Sequence, residues 1–345
     1  MKKKTMTLLM AASITLAMLA GCGSGVSGSS AGGAGTTYKV GIVQFVDDAS
    51  LNQIESAIEK ELDAKAAELG VTFDYGDYTY NGQADSTVLN QIATELIASK
   101  VDVIVPIATP AAMIMQNATE DNQIPVVFSA VSDPEGSGLV ASNSAPGANI
   151  TGTSDALNTE AVMDLIFAAN PNISKVGLLY SKSEDSSRLP VEVAKAYCEA
   201  KGVAVVEKTG TTNDEVSLAA DALIAEGVEA IFTPTDNTVM TAELAIYEKF
   251  IEAGIPHYCG ADSFALNGAF LGYGVNYEEL GTATADIVVE ILVNGADPAS
   301  TAVVTLDNGI ATINTETAQA IGLDYSMFAD MCAELKEITT AEEFE

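Results

Sequence analysis

Two halves of this sequence repeat one alternation of short apolar, β-branched runs with helical stretches, and that repeat narrows the possible folds more than any other feature. The first half reads YKVGIVQF, a helix over about 51 to 69, VTFDYGDYTY, a helix over about 86 to 99, VDVIVPIA, a helix from Thr109, then IPVVFSAV. The second half reads SKVGLLYS, a helix from about Leu189 to Lys201, VAVVEKTG, a helix over about 214 to 225, VEAIFTPT, a helix over about 238 to 253, IPHYCGAD and AFLGYGV. Strands that alternate with helices predict an α/β fold with mostly parallel sheets flanked by helices. The helical period is clear at Ile54, Ile58 and Leu62, with Glu55, Glu59, Lys60 and Asp63 turned outward. Two such halves predict two lobes.

The rest of the chain completes the lobes by crossing back. A long helix over about 277 to 294, two strand-like runs, TAVVTL and IATIN, and a last helix from Thr315 follow the second half. Crossings are expected near Gly152 to Asp155, Gly274 to Asn276 and Asp307 to Asn308, each in Gly, Asn or Asp. The expected division is 38–153 with 276–306 for lobe 1 and 154–275 with 307–330 for lobe 2. The acidic tail 331–345 carries little that could form a core.

The N-terminus has the three-part pattern of a secretory signal: Lys2, Lys3 and Lys4, an apolar run from Met6 to Ala20, and small residues before Cys22. The run is shorter than the roughly 20 residues that a spanning helix needs. Leu19-Ala20-Gly21-Cys22 resembles the lipobox of bacterial lipoproteins, which implies a signal over 1–21 and a lipidated Cys22 as the mature N-terminus. Residues 23 to 37 are Gly, Ser, Ala, Val and Thr, a flexible spacer. The expected location is outside the cell, anchored by lipid to the outer face of the bacterial cytoplasmic membrane.

A formal charge of −33 excludes nucleic acid as a partner and opposes polyanionic ligands. Besides Cys22, Cys198, Cys259 and Cys332 make an odd set without CxxC spacing, so neither a zinc nor a redox motif is present. Cys198 on a helix and Cys259 at a strand end read as small buried side chains. His257 is the single histidine, and HExxH, GxSxG and GxxxxGK[ST] are absent. His257 near a strand end reads as structural. The chain is expected to be no enzyme and to carry no cofactor or metal.

Ligands of open α/β sheets sit beyond the carboxyl ends of the strands. Here those ends carry Asp47, Thr109, Ser132, Asp133, Ser154 and Asp155 in the first half, and Ser183, Ser186, Asp236, Asn237 and Asp262 in the second. Thr109, Ser183 and Asp236 also read as helix caps. Capping does not explain small polar residues at nearly every strand end, which is the convergence a small-ligand crevice needs. Arg188 is the sole arginine, so a ligand carboxylate would be held by hydroxyls and backbone N–H groups at helix N-termini. Asp155, Asp236 and Asp262 are available for an ammonium, with Asp236 the first choice. The absence of Trp and 6% aromatic residues favour amino acids over sugars, which need ring-stacking platforms.

The runs GIVQFVDDASLN, IATPAA, PVVFSAVSDP, NITGTSD, LLYSKSEDSS, TPTDNTV and YGVNYEELG resemble those of ABC-transporter substrate-binding lipoproteins, in the family that includes tryptophan, tyrosine and phenylalanine receptors. The resemblance covers Tyr38 to about Leu323. It implies a periplasmic-binding-protein type I fold, two Rossmann-like lobes joined by a three-crossing hinge, and a ligand enclosed by closure. It carries the eleven strand-end residues above over as contacts. Where the family often has a histidine after the first-loop aspartate and an asparagine before the last serine of the LLYSKSEDSS-like stretch, this chain has Asp48 and Ser186. The expected function is capture of a small zwitterionic solute, an amino acid, for ABC permease subunits by a monomeric protein. The alternatives are a sensing lipoprotein that presents a sugar or nucleoside-like solute to a membrane receptor, and a lipid-anchored enzyme.

Overall fold

The computed structural model describes residues 35–306, 309–341 and 343–344. The calls on the signal, Cys22, most of the spacer and the crossing at Asp307–Asn308 lie outside them. From the N-terminal side the elements are β1 (Thr37–Gln44), α1 (Ala49–Leu69), β2 (Thr72–Asp74), β3 (Thr79–Asn81) and α2 (Ser86–Ser99). They continue with β4 (Val103–Ile107), α3 (Thr109–Thr119), β5 (Val126–Phe128), β6 (Ile150–Ser154) and α4 (Thr159–Ala169). Next come β7 (Lys175–Tyr180), α5 (Arg188–Lys201), β8 (Ala204–Thr209), α6 (Asn213–Ala225) and β9 (Ala230–Thr233). After these stand α7 (Asn237–Ala253), β10 (His257–Cys259), α8 (Asp262–Leu266), β11 (Leu271–Gly274) and α9 (Tyr277–Leu292). The chain closes with β12 (Val304–Thr305), β13 (Ile310–Asn314), α10 (Thr315–Ile321) and β14 (Glu334–Ile338).

Two mostly parallel sheets result, one per lobe. The first runs β12-β6-β5-β4-β1-β2, with β3 also on β1; the second runs β14-β13-β11-β10-β9-β7-β8. β13 pairs antiparallel with β11, the exception among parallel pairs. This order takes the chain from the first sheet to the second after β6, back after β11, and over again between β12 and β13. Central strands are buried throughout, and β4 is apolar along its whole length, as suits a parallel strand covered on both faces.

α9 belongs to the first lobe and lies along α1. Gly281 permits the approach, since a Cβ there would stand 2.5 Å from the Ile54 carbonyl oxygen. Hydroxyls tie α9 to the sheet: Thr284 Oγ1 lies 2.8 Å from both Ser129 Oγ and Thr153 Oγ1. In the second lobe, His257 is buried between Thr233 Oγ1 (2.8 Å from Nε2) and Glu243 Oε1 (3.0 Å from Nδ1), with the edge of Phe250 against its ring. Cys198 and Cys259 are buried free thiols.

The structure departs from the sequence reading in four places. VTFDYGDYTY is two short strands, because the chain turns at Tyr75, whose carbonyl accepts from Tyr78 N at 2.8 Å. NITGTSD is a full strand, β6, and only its end is the crossing. α4 and the five-residue α8 are additional helices. The tail is not outside the core: β14 pairs in parallel with β13 from Ile310–Glu334 to Asn314–Ile338, so backbone bonding extends the sheet without an apolar run.

Candidate functional site

The carboxyl ends of both sheets face one cleft. The first lobe contributes Asp48, Leu51, Ala108, Thr109, Ala130 and Ser132 to a small cavity there; Asp155 follows at the crossing. Ser186, Asp236, Asn237 and Met240 line it from the second lobe, and Tyr277 stands at the return. The cavity holds about 20 Å³ and shares Ser132 and Ser186 with an adjoining recess of about 240 Å³. Leu157, Leu189, Pro190 and Val193 give that recess an apolar wall.

Several helices begin at the cavity: α9 is capped by Asn276, the five-residue α8 follows Ala261 without a side-chain cap, and the first turns of α1, α7 and α3 differ. Asp48 caps α1, accepting from Ser50 N at 2.9 Å and Leu51 N at 3.3 Å. Asp236 caps α7, accepting from Val239 N at 2.9 Å. α3 has no side-chain cap: Ala108 stands at the N-cap position with φ of 82°, a left-handed conformation that costs a non-glycine residue about 1–3 kcal/mol. Thr109, the next residue, is 2% exposed, and its Oγ1 has no hydrogen-bond partner among the described residues. The two negative caps neutralise α1 and α7, while the positive end of α3 is left open at the cavity wall.

Several expected contacts are brought together. Thr109, Ser132, Asp155, Ser186, Asp236 and Asn237 line the cavity. Ser132 donates to Asp155 Oδ1 at 2.9 Å, and Ser186 to the Thr235 carbonyl at 2.8 Å. Burial pushes Asp155 up to about 6. Asp48, also buried and near Asp262, is pushed up to about 7. Burial and the charge of Asp236 raise Glu184, whose carboxyl accepts from Asn237 Nδ2 at 3.0 Å.

Other expected contacts have different work. Asp47 is exposed and accepts from Asn52 Nδ2 at 3.0 Å; its neighbour Asp48 lines the cavity instead. Thr109 is the first helical residue and not a cap. Ser183 is exposed and pairs with Ser181 Oγ at 2.7 Å. Ser154 Oγ accepts from Ala156 N at 3.2 Å, which shapes the crossing. Asp133 lines the recess, its Oδ1 accepting from Gly136 N at 2.8 Å. Asp262 joins the lobes by accepting from Ser50 Oγ at 2.5 Å. Asp236 has both oxygens occupied, Oδ1 by Val239 N and Oδ2 by Ser181 N and Ser187 Oγ, each at 2.6 Å. Those donors make it a scaffold, whereas Asp155 has Ser132 as its one side-chain donor among the described residues. Sequence reasoning missed Ala108, Ala130 and Tyr277, whose contributions depend on backbone shape or ring position.

Residues 39–328 match the family model for ABC transporter substrate binding proteins. A tyrosine-binding protein of Clostridioides difficile (strain R20291) is 31% identical over 328 residues, covering 93% of this chain and 93% of its own. The ABC domain in complex with L-Trp from Streptococcus pneumonia superposes with a TM-score of 0.80 at 31% identity, covering 87% of this chain and 100% of that one. The ligand-free, open structure of a substrate-binding protein with adhesive properties from Clostridium difficile gives 0.66 at 30% identity, covering 88% and 100%. The chain belongs to the ABC transporter substrate-binding protein family, whose members bind solutes and are not enzymes.

Proposed function

We propose that this protein captures an amino acid between its lobes, by closure about the three crossings, and delivers it to ABC permease subunits. The uncapped N-terminus of α3, with the unpartnered Thr109 hydroxyl beside it, carries this reading: it is a seat for a ligand carboxylate in a cavity where aspartates cap α1 and α7. Asp155, held by Ser132, takes the ammonium. The narrow cavity suits the charged end of the ligand, and the recess with Leu157, Leu189 and Pro190 suits an apolar or aromatic side chain. Relatives named for tyrosine and bound to L-Trp support that ligand class.

Two comparisons at nearly equal identity support closure. The L-Trp complex superposes much better than the ligand-free, open relative, a difference that lobe rotation accounts for more readily than divergence. Substrate-binding proteins of ABC importers work outside the cytoplasm, and lipidation of Cys22 would hold a monomer there near its permease. No helix among the described residues is long and apolar enough to cross a membrane.

Calorimetry with a panel of L-amino acids tests the reading, with scattering recorded in parallel. Binding of L-tyrosine or L-tryptophan with compaction is the expected result. Neutral sugars or nucleosides that bind while all amino acids fail would overturn the ligand class.

A further inference from the structure

We propose that Arg188 is the residue that retains the ligand, bolting the closed lobes across the recess, with Asp133 as its positioning partner. The proposal rests on the closure reading above. Arg188 opens α5 on the second lobe, and its Nη2 donates to the Gly136 carbonyl of the first lobe at 2.8 Å. Asp185 Oδ1, 3.7 Å away, steadies the guanidinium from its own lobe.

The acceptor is built to be fixed. Asp133 Oδ1 holds Gly136 N, and Ser137 N donates to the Asp133 carbonyl at 2.9 Å, so the loop after β5 is a tight turn around one carboxylate. A Cβ on Gly136 would stand 1.9 Å from Asp133 Oδ2, so the turn packs directly on that side chain. Both ends of the bridge adjoin the same space, since Asp133 and Leu189 line the recess from opposite lobes. Opening the cleft must break this bond, whereas the encounter with ligand precedes it. The bridge therefore acts on dissociation. Arginine suits the role because its guanidinium is always charged and presents several donors in a rigid fork, so a side chain that stays largely in solvent can still hold the Gly136 carbonyl in a fixed geometry.

The chain has no tryptophan, so the indole emission of bound L-tryptophan reports the ligand alone. Stopped-flow displacement by excess L-tyrosine then gives the dissociation rate. Arg188→Ala is expected to release L-tryptophan about two- to fivefold faster, the loss of one largely solvent-exposed charged hydrogen bond, with association little changed. Arg188→Lys is expected to recover part of the retention. Asp133→Ala should also speed release, and the double variant should be no faster than Arg188→Ala, because both changes remove the same bridge. Scattering of the wild type separates the two readings. If the wild type compacts on L-tryptophan but Arg188→Ala releases it at the wild-type rate, or if the two substitutions multiply, the bolt is refuted and closure stands. If the wild type binds without compacting, closure itself fails and the bolt falls with it. A wild type that takes up neither L-tryptophan nor any other L-amino acid overturns both the ligand assignment and this role.

Discussion

Replacing Asp155 by asparagine should make the ligand-free protein more stable and the complex weaker, and the two signs together are the diagnostic. Burial has moved this carboxyl from 3.8 to about 6. At about 1.4 kcal/mol per unit, keeping it ionised in the folded protein above that pH costs up to about 3 kcal/mol. Asparagine keeps an oxygen for the Ser132 hydroxyl and carries no charge, so it recovers part of that cost. The same substitution removes a charge-assisted bond to the ligand ammonium, worth about 1.5–3 kcal/mol, which is a ten- to hundredfold loss of affinity. The pH dependence of the wild type follows with opposite signs. A carboxyl raised in the folded state favours folding at low pH, and that contribution is lost as pH rises through about 6. Ligand affinity instead falls as pH drops through the same value, because the proton competes with the ammonium. Calorimetry and thermal melts of both proteins on either side of pH 6 measure all four quantities. A lowered melting temperature with unchanged affinity would refute the argument and make Asp155 a structural residue of the crossing.

Asp236→Asn should behave differently: its amide nitrogen must face one of the donors Ser181 N, Ser187 Oγ or Val239 N, so stability should fall by about 1–3 kcal/mol. Affinity should change less than in Asp155→Asn, and calorimetry beside denaturant melts checks the contrast. His257→Leu should cost about 3–5 kcal/mol by leaving Glu243 buried without its partner, whose second oxygen already has none; a loss under about 1 kcal/mol in urea unfolding would contradict this. Truncation after Ala333 removes β14 and bares the edge of β13, so the melting temperature should fall and self-association rise on gel filtration. An unchanged melt would show that the last strand is dispensable.

The βα alternation was legible because parallel strands buried on both faces must be apolar along their whole length, and Val103–Ile107 or Ala230–Thr233 could hardly be anything else. β14 was not, since ELKEI has exposed or half-buried side chains and joins the sheet mainly through its backbone, with Leu335, its one apolar side chain besides the terminal Ile338, packed against the core. The strand-end rule found Thr109, Ser132, Asp155 and Ser186, but it chose Asp47 over Asp48. Only the cap geometry separates those adjacent aspartates, and a sequence shows the capping residue less clearly than the helix that follows it. For Asp236 the pattern showed a carboxylate at a strand end; what it could not show is that Ser181 and Ser187, some 50 residues away in sequence, would use up the oxygens.

A solute-binding protein of formal charge −33 faces an electrostatic problem that the proposed choice of ligand would resolve. None of the side chains that line the cavity is a lysine or arginine, while Asp48, Asp155 and Asp236 are there, so a free anion would find no cationic side chain and only the open end of α3 in its favour. A zwitterion has no net charge. In a long-range negative field it feels almost no net force, only a torque, and at physiological salt even that acts within about 8 Å. Under the proposed function, recognition would fall to contacts that read the two ends separately: the open end of α3, a partial positive charge, for the carboxylate, and Asp155 for the ammonium. A ligand that brought both charges would leave the net charge of the cleft unchanged, and the cost of the buried Asp155 carboxylate would be offset only when the cation and the anion arrive in one molecule.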